Sequence, residues 1–360
     1  DYGKERRTSF RSVCLGLSSQ ATYTGQVHLT LAKRCSRVWR HDDAPSVSQD
    51  HSGRRAFRKA APGNSPKSMN MVPLALLIWL LAELTICAAL ARHFLDTSWG
   101  TSAIVAAGVV LGLRAGIVAV TWAFARAYPS PARRLTAAGS LRMVVGEYGA
   151  FLLIFVFILP FERLWMGRDR MRPCSRPLLL VHGYSCSRGV WWLLRRRLEA
   201  AGHTVATVSL APPYASIGKL VPRLGERVEQ VCKATGADCV VLVAHSMGGL
   251  VCRSYLARHG SDRVERLITI SSPHSGSELA RIGIGKNARE MEPGSLWLKD
   301  LSQAGLPVPA VAIRTPHDNF VMPQDNQRLP GAVDVAVEGI GHLAVLFARR
   351  TASEVIAACR

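Results

Sequence analysis

The stretch VVLVAHSMGGLVCRSYL, residues 240–256, sets one serine between a β-branched apolar run and a segment with helical character. Ser246 has small residues at both two-residue offsets, Ala244 before it and Gly248 after it, and Gly249 adds clearance. A strand that turns sharply into a helix brings two backbones close together, so only small side chains fit at those offsets. The same turn presents the serine hydroxyl at the end of the strand. A serine that only caps a helix has the same residue type, so the rest of the chain has to decide between the two.

From Pro173 onward, strand and helix signals alternate. PLLLVH (177–182), TVATVSL (204–210), CVVLVAH (239–245), RLITISS (266–272), AVAIR (310–314) and AVDVAVE (332–338) read as short buried strands. Helical stretches separate them at Val190–Ala201, Ile217–Thr235, Met247–His259 and His342–Ala358. Such alternation predicts an α/β fold with a mostly parallel six-stranded sheet covered on both faces.

A serine hydroxyl is a weak nucleophile until a base takes its proton. After such a turn, the acid and then the base are expected further along the chain. His342, in VEGIGHLAVLF, follows the last strand on a glycine-bracketed loop, a position no other of the eleven histidines shares. Asp318, in AVAIRTPHDNFVMP, lies four residues past the preceding strand, with Phe320 and Val321 to shield it. Asp325 and Asp334 are rivals, the first on a polar loop and the second inside a predicted strand. Acyl transfer also needs donors for a developing oxyanion. His182 and Gly183 end the first strand in a turn that can aim the N–H of Tyr184 inward. The N–H of Met247 sits at a helix N-terminus, where the dipole favours negative charge.

In this order, VHGY (181–184), VAHSMGG (243–249), ISSPHSGSELA (270–280), PHDNFV (316–321) and GIGHLAVL (339–346) resemble the α/β-hydrolase superfamily, and within it the small bacterial lipases and esterases. The resemblance covers roughly residues 173–360. It departs from the usual G-x-S-x-G at Ala244, which is still small. By this resemblance Ser246 is the nucleophile, His342 the base and Asp318 the acid, with Tyr184 and Met247 forming the oxyanion hole and Ala244, His245, Gly248 and Gly249 shaping the turn. The implied reaction is ester hydrolysis through an acyl-enzyme, with no metal and no organic cofactor. His274, in SPHSG, is expected to shape a turn or the pocket wall. Residues 276–309, with ARIGIG and GSLWLKDL, suit a flap over the site or a packed surface helix.

The N-terminal part lies outside that resemblance. Residues 1–68 carry 13 Lys/Arg against 5 Asp/Glu and no long apolar run, and read as a disordered tail or as sequence upstream of a start at Met69 or Met71. Residues 69–165 hold three apolar segments: Met71 to about Ala91, Ser102 to about Ala127, and Met143 to Phe161. Each is near the ~20 residues that cross a bilayer. Each contains one ionisable residue, Glu83, Arg114 and Glu147 in turn, and these are expected to face one another in a small bundle. Arg126, Arg133, Arg134 and Arg142 around the second loop place it in the cytoplasm and the catalytic part outside, although Arg163, Arg168, Arg170 and Arg172 pull the other way.

The net charge of +20 invites a nucleic-acid reading, but the basic residues form no stripe and no aromatic platform accompanies them. Nine scattered cysteines lack metal-site spacing and read as buried thiols, with disulfides left open. The sequence therefore points to a serine esterase or lipase anchored in a membrane, the inner membrane of a bacterium, with an acyl ester as substrate and membrane lipid as surroundings. An acyltransferase using the same triad and a silent membrane scaffold are the alternatives.

Overall fold

A computed structural model describes residues 71–128 and 132–360; the expectations for residues 1–68 lie outside the described residues. Six strands form one parallel sheet: β1 (Leu178–Val181), β2 (Val205–Val208), β3 (Val240–His245), β4 (Val264–Ile270), β5 (Ala310–Arg314) and β6 (Val333–Ala336). Their spatial order is β2-β1-β3-β4-β5-β6. Period-two alternation sorts their side chains onto two cores. Leu179, Val181, Leu242 and Ala244 enter one core, while Leu178, Leu180, Val241 and Val243 enter the other. Because both faces are covered there, β1 and β3 read as nearly unbroken apolar runs.

Outside the membrane-like region, α4 (Trp192–Ala200), α5 (Ile217–Thr235), α6 (Met247–His259), α7 (Leu296–Gln303) and α8 (Arg349–Ala358) flank the sheet; residues of α5 and α6 join the first core, and those of α4 and α8 the second. The stretch expected as one helix over His342–Ala358 is instead a loop, a tight turn at Ala344–Phe347 and then α8. The loop keeps the backbone N–H groups of 342–344 out of a helix and free for other acceptors.

Three apolar helices precede the sheet: α1 (Met71–Leu95), α2 (Trp99–Ala127) and α3 (Ala137–Leu152), which runs on through a widened turn at Leu153–Ile158. All three are long and apolar enough to cross a membrane, with mean hydropathies of 2.3, 2.3 and 1.9. The third is also the most buried of them, because it packs against the sheet's second core through Phe151 and Ile154.

The topology fixes where a site can form. From the adjacent strands β1 and β3, the chain leaves toward opposite edges of the sheet, so their carboxyl ends open a crevice. The register pairs Val181 with Ala244, and Ala244 with Thr269, which aligns those ends.

Candidate active site

Ser246 follows β3 with φ 55° and ψ −130°, a conformation that non-glycine residues rarely adopt and that costs on the order of 1–3 kcal/mol. Its N–H is held by the carbonyl of Ile270 at 2.9 Å. Steric contact accounts for the small neighbours. A Cβ on Gly248 would stand 2.4 Å from the carbonyl oxygen of Val181, and one on Gly183 would stand 2.8 Å from the Ser246 Cβ. Ala244 is fully buried within the strand, where its single methyl group is accommodated.

His342 Nδ1 donates to Asp318 Oδ2 at 2.9 Å. The same oxygen accepts from Thr315 Oγ1 at 2.6 Å, and Oδ1 accepts the N–H groups of Phe320 and Val321 at 2.7 and 2.8 Å. Burial pushes the Asp318 carboxyl up, but the charge and hydrogen bond of His342, with the other donors, outweigh it and hold the group below the usual aspartate value. Burial likewise pushes the His342 imidazole down, and the Asp318 carboxylate, helped by Glu147, more than reverses this. Phe320 stacks on the ring at 5.1 Å. The rival Asp334 is engaged by Arg314 and Arg328, and Asp325 by Arg328 at 3.0 Å, so both serve ion pairs near β5 and β6.

Three further histidines are buried and structural. His182 donates from Nδ1 to the Gly183 carbonyl and accepts at Nε2 from the Leu210 N–H, both at 2.9 Å; burial lowers its pKa to about 4. His245 donates from Nε2 to the carbonyl of His342 at 3.0 Å, and burial, reinforced by the neighbouring His342, lowers its pKa to about 3. His274 lies against Thr269 Oγ1 at 3.1 Å, with burial holding it neutral, which fits the turn role expected for it.

The loop carrying His342 is held from every side. Asn319 Oδ1 accepts the His342 N–H at 3.2 Å, and its amide donates to Thr121 Oγ1 of α2 at 2.8 Å. Glu147 of α3 accepts the Leu343 N–H at 2.9 Å and the Ala344 N–H at 2.9 Å. This corrects the expected three-way bundle: Glu83 and Arg114 do pair across α1 and α2, whereas Glu147 turns away to the loop beside His342. Gly341 is packed so closely on Glu147 that a Cβ there would meet its carboxylate at 2.4 Å. A lone acid in an apolar segment was the visible signal; its partners, two backbone N–H groups almost two hundred residues away, leave no mark in a sequence.

Tyr184 stands on the β1 turn, and its hydroxyl donates to the Ile284 carbonyl at 2.7 Å while accepting the Ile284 N–H at 2.9 Å. Met247 opens α6, so its N–H has no intrahelical acceptor. Ser246, His342 and Tyr184 line one cavity of about 720 Å³. Among the described residues no hydrogen bond joins the Ser246 hydroxyl to His342; such contacts often close only when substrate binds. The seven described cysteines are free thiols.

Compared with known proteins, residues 176–292 match a family profile for the alpha/beta hydrolase fold. The fold is that of the α/β hydrolases. Among hydrolase relatives, the chain is 34% identical over 123 residues to a triacylglycerol lipase of Burkholderia plantarii, covering 32% of this chain and 34% of the relative. It is 34% identical over 112 residues to a triacylglycerol lipase of Pseudarthrobacter phenanthrenivorans, covering 29% and 35%. It is 33% identical over 85 residues to methylesterase 7 of Arabidopsis thaliana, covering 21% and 32%. The chain thus spans about a third of the length of the curated relatives it matches. Of solved structures, the mature lipase BlEst2 of Bacillus licheniformis superposes with a TM-score of 0.48 at 20% identity, covering 54% of this chain and 96% of that one.

Proposed function

We propose that the protein is a serine hydrolase of carboxylic esters, held at a membrane by its apolar helices and acting on acyl lipids or similarly apolar esters. One observation carries this reading: a serine at a strained bend and an imidazole oriented by a buried carboxylate line the same cavity. With Nδ1 committed to Asp318, Nε2 of His342 is the nitrogen left to take the Ser246 proton. The freed Oγ attacks the ester carbonyl, and the oxyanion is held by the N–H groups of Met247 and Tyr184. Collapse of the intermediate expels the alcohol, protonated by His342, and leaves the acyl group on Ser246. Water, deprotonated by His342, then attacks the acyl-enzyme and releases the acid. Asp318 stays ionised throughout and stabilises the imidazolium. The relatives named as triacylglycerol lipases and a methylesterase support ester chemistry.

The helices also bear on topology. Three crossings would put the loop around Arg133 and the hydrolase domain on opposite faces of a bilayer. His317, beside Asp318, donates to the Arg133 carbonyl at 3.0 Å, which favours two crossings, α1 and α2, with α3 packed on the domain. The arginine-rich loop and the domain then share a face, the cytoplasmic one by charge bias. Cysteine labelling of that loop and of the domain in sealed vesicles tests this reading: labelling from opposite sides would restore three crossings and an outward domain.

The enzymatic test is turnover of an aryl ester together with labelling by a fluorophosphonate probe. Wild type should do both, and Ser246→Ala should lose both, with turnover falling on the order of 10⁶-fold. Unchanged turnover in that variant would end the assignment.

A further inference from the structure

The cavity beside Ser246 has one wall built from the apolar helices that precede the sheet. Gly112 and Gly116 of α2 lie one helical turn apart and face into it, and Phe155 enters from the widened turn that follows α3. An added Cβ at either glycine would meet nothing within 4 Å, so these positions border open space rather than a packed neighbour. Around them, Leu113, Ile117 and Val120 also line the cavity while remaining 52%, 49% and 49% exposed. Across the opening, Ile282 lines the same cavity at 61% exposure, and Tyr184 ties its neighbour Ile284 to the β1 turn through the paired hydrogen bonds described above. The mouth is therefore rimmed by apolar side chains on both sides, an arrangement that marks contact with lipid or an apolar ligand.

The helix that forms this wall is 29 residues long, or about 43 Å at 1.5 Å per residue, more than the roughly 30 Å hydrocarbon core. The lining from Gly112 to Thr121 extends about 14 Å along it at the same rise, well beyond what an acetyl or butyryl group could occupy. One end of the cavity holds the reacting groups, and the remainder is almost entirely apolar.

We propose that this wall is the acyl-chain site: the long hydrocarbon tail of a bilayer lipid ester lies along the glycine face of α2, entering sideways between α2 and residues 279–284. The proposal rests on the ester-hydrolase reading for its chemistry, and it adds that the membrane helix is a wall of the substrate site and that the substrates are long-chain fatty-acyl esters. Each methylene that enters the groove is withdrawn from water, so kcat/KM should rise about fourfold per added carbon until the groove is full.

The test uses the full chain in bilayer nanodiscs, with p-nitrophenyl esters from acetate to palmitate and the rate of fluorophosphonate labelling at Ser246 as the check of folding. Gly116→Leu and Gly112→Leu place a side chain into the open groove. Each should lower the long-to-short ratio of kcat/KM at least tenfold, while Ala115→Leu, which is off the lining, should keep that ratio. An unchanged ratio in both glycine variants would overturn the proposal. A second measurement does not depend on turnover. A long-chain fatty acid carrying a diazirine, photolysed with the Ser246→Ala protein, should label the peptide spanning residues 112–121, and Gly116→Leu should abolish that label; absence of label there in the parent Ser246→Ala protein would also overturn it. If wild type turns over no ester yet is labelled on α2, the hydrolase reading fails and the chain site stands. If it turns over esters without regard to chain length, only the chain site fails.

Discussion

The two sides of the cavity beside Ser246 use glycine for opposite reasons. On the sheet side, Gly248 and Gly183 are needed because carbonyl oxygens and the Ser246 side chain crowd the place a Cβ would occupy. On the helix side, Gly112 and Gly116 have nothing near that place. The first pair allows the close packing around Ser246; the second leaves a space. The sheet side is likewise dense in hydrogen bonds, with His342 and its loop held by Asp318, His245, Asn319 and Glu147, while the helix side offers apolar carbon. Reacting groups need fixed positions, whereas a hydrocarbon tail needs only volume and dryness. In this protein hydrogen-bonded packing and open apolar space fall on different segments of the chain.

That contrast can be broken most sharply at Asp318. Asp318→Asn keeps the shape but removes the charge and the acceptor for His342 Nδ1, and kcat should fall on the order of 10⁴-fold. Steady-state kinetics with a soluble aryl ester check this, and a loss of less than tenfold would move the acid elsewhere.

Glu147 belongs to an apolar helix yet serves the polar side. Glu147→Gln should lower kcat about tenfold to a hundredfold by loosening the loop beneath His342, with KM for a short ester little changed. It should also shift the pH profile. In the proposed mechanism the working base is neutral His342, whose pKa stands above the ordinary 6.5 chiefly because of Asp318 and in part because of Glu147. Activity in the wild type should therefore fall as pH drops through a value above 6.5. Burial pushes the Glu147 carboxyl itself up to about 7, so it is only partly ionised where His342 titrates, and removing that partial charge should move the acidic limb slightly to lower pH. A role confined to packing would reduce the rate and leave the limb in place.

The smallest effect is expected at the rival acids. Asp325→Asn and Asp334→Asn loosen ion pairs whose carboxylates are partly exposed, to Arg328 and, for Asp334, also to the buried Arg314. Each should change stability by no more than about 1 kcal/mol and leave kcat within twofold. Thermal denaturation and the same ester assay read both quantities.

Much of the α/β-hydrolase fold was legible locally. Buried parallel strands must be apolar at every position, so β3 and β5 announce themselves as VVLVAH and AVAIR. The helices Ile217–Thr235 and Met247–His259 have the ends the sequence gives them. The third apolar segment starts earlier than expected, at Ala137, because Thr136 caps it by accepting the Gly139 N–H at 3.1 Å. The break before α8 was not legible, since the helical pattern of GHLAVLFARR does not reveal that Glu147 draws the N–H groups of Leu343 and Ala344 away.

Sequence alone determined the order of strands and helices, the small residues around Ser246 and the candidate acid and base, because each depends on neighbours a few positions away. Tertiary structure decided which buried acid supports which loop, which aspartate faces His342, and that a membrane-like helix closes the cavity. Those are contacts between segments 24 to 198 residues apart, and at such separations the chain carries no periodic or local pattern from which a contact can be read.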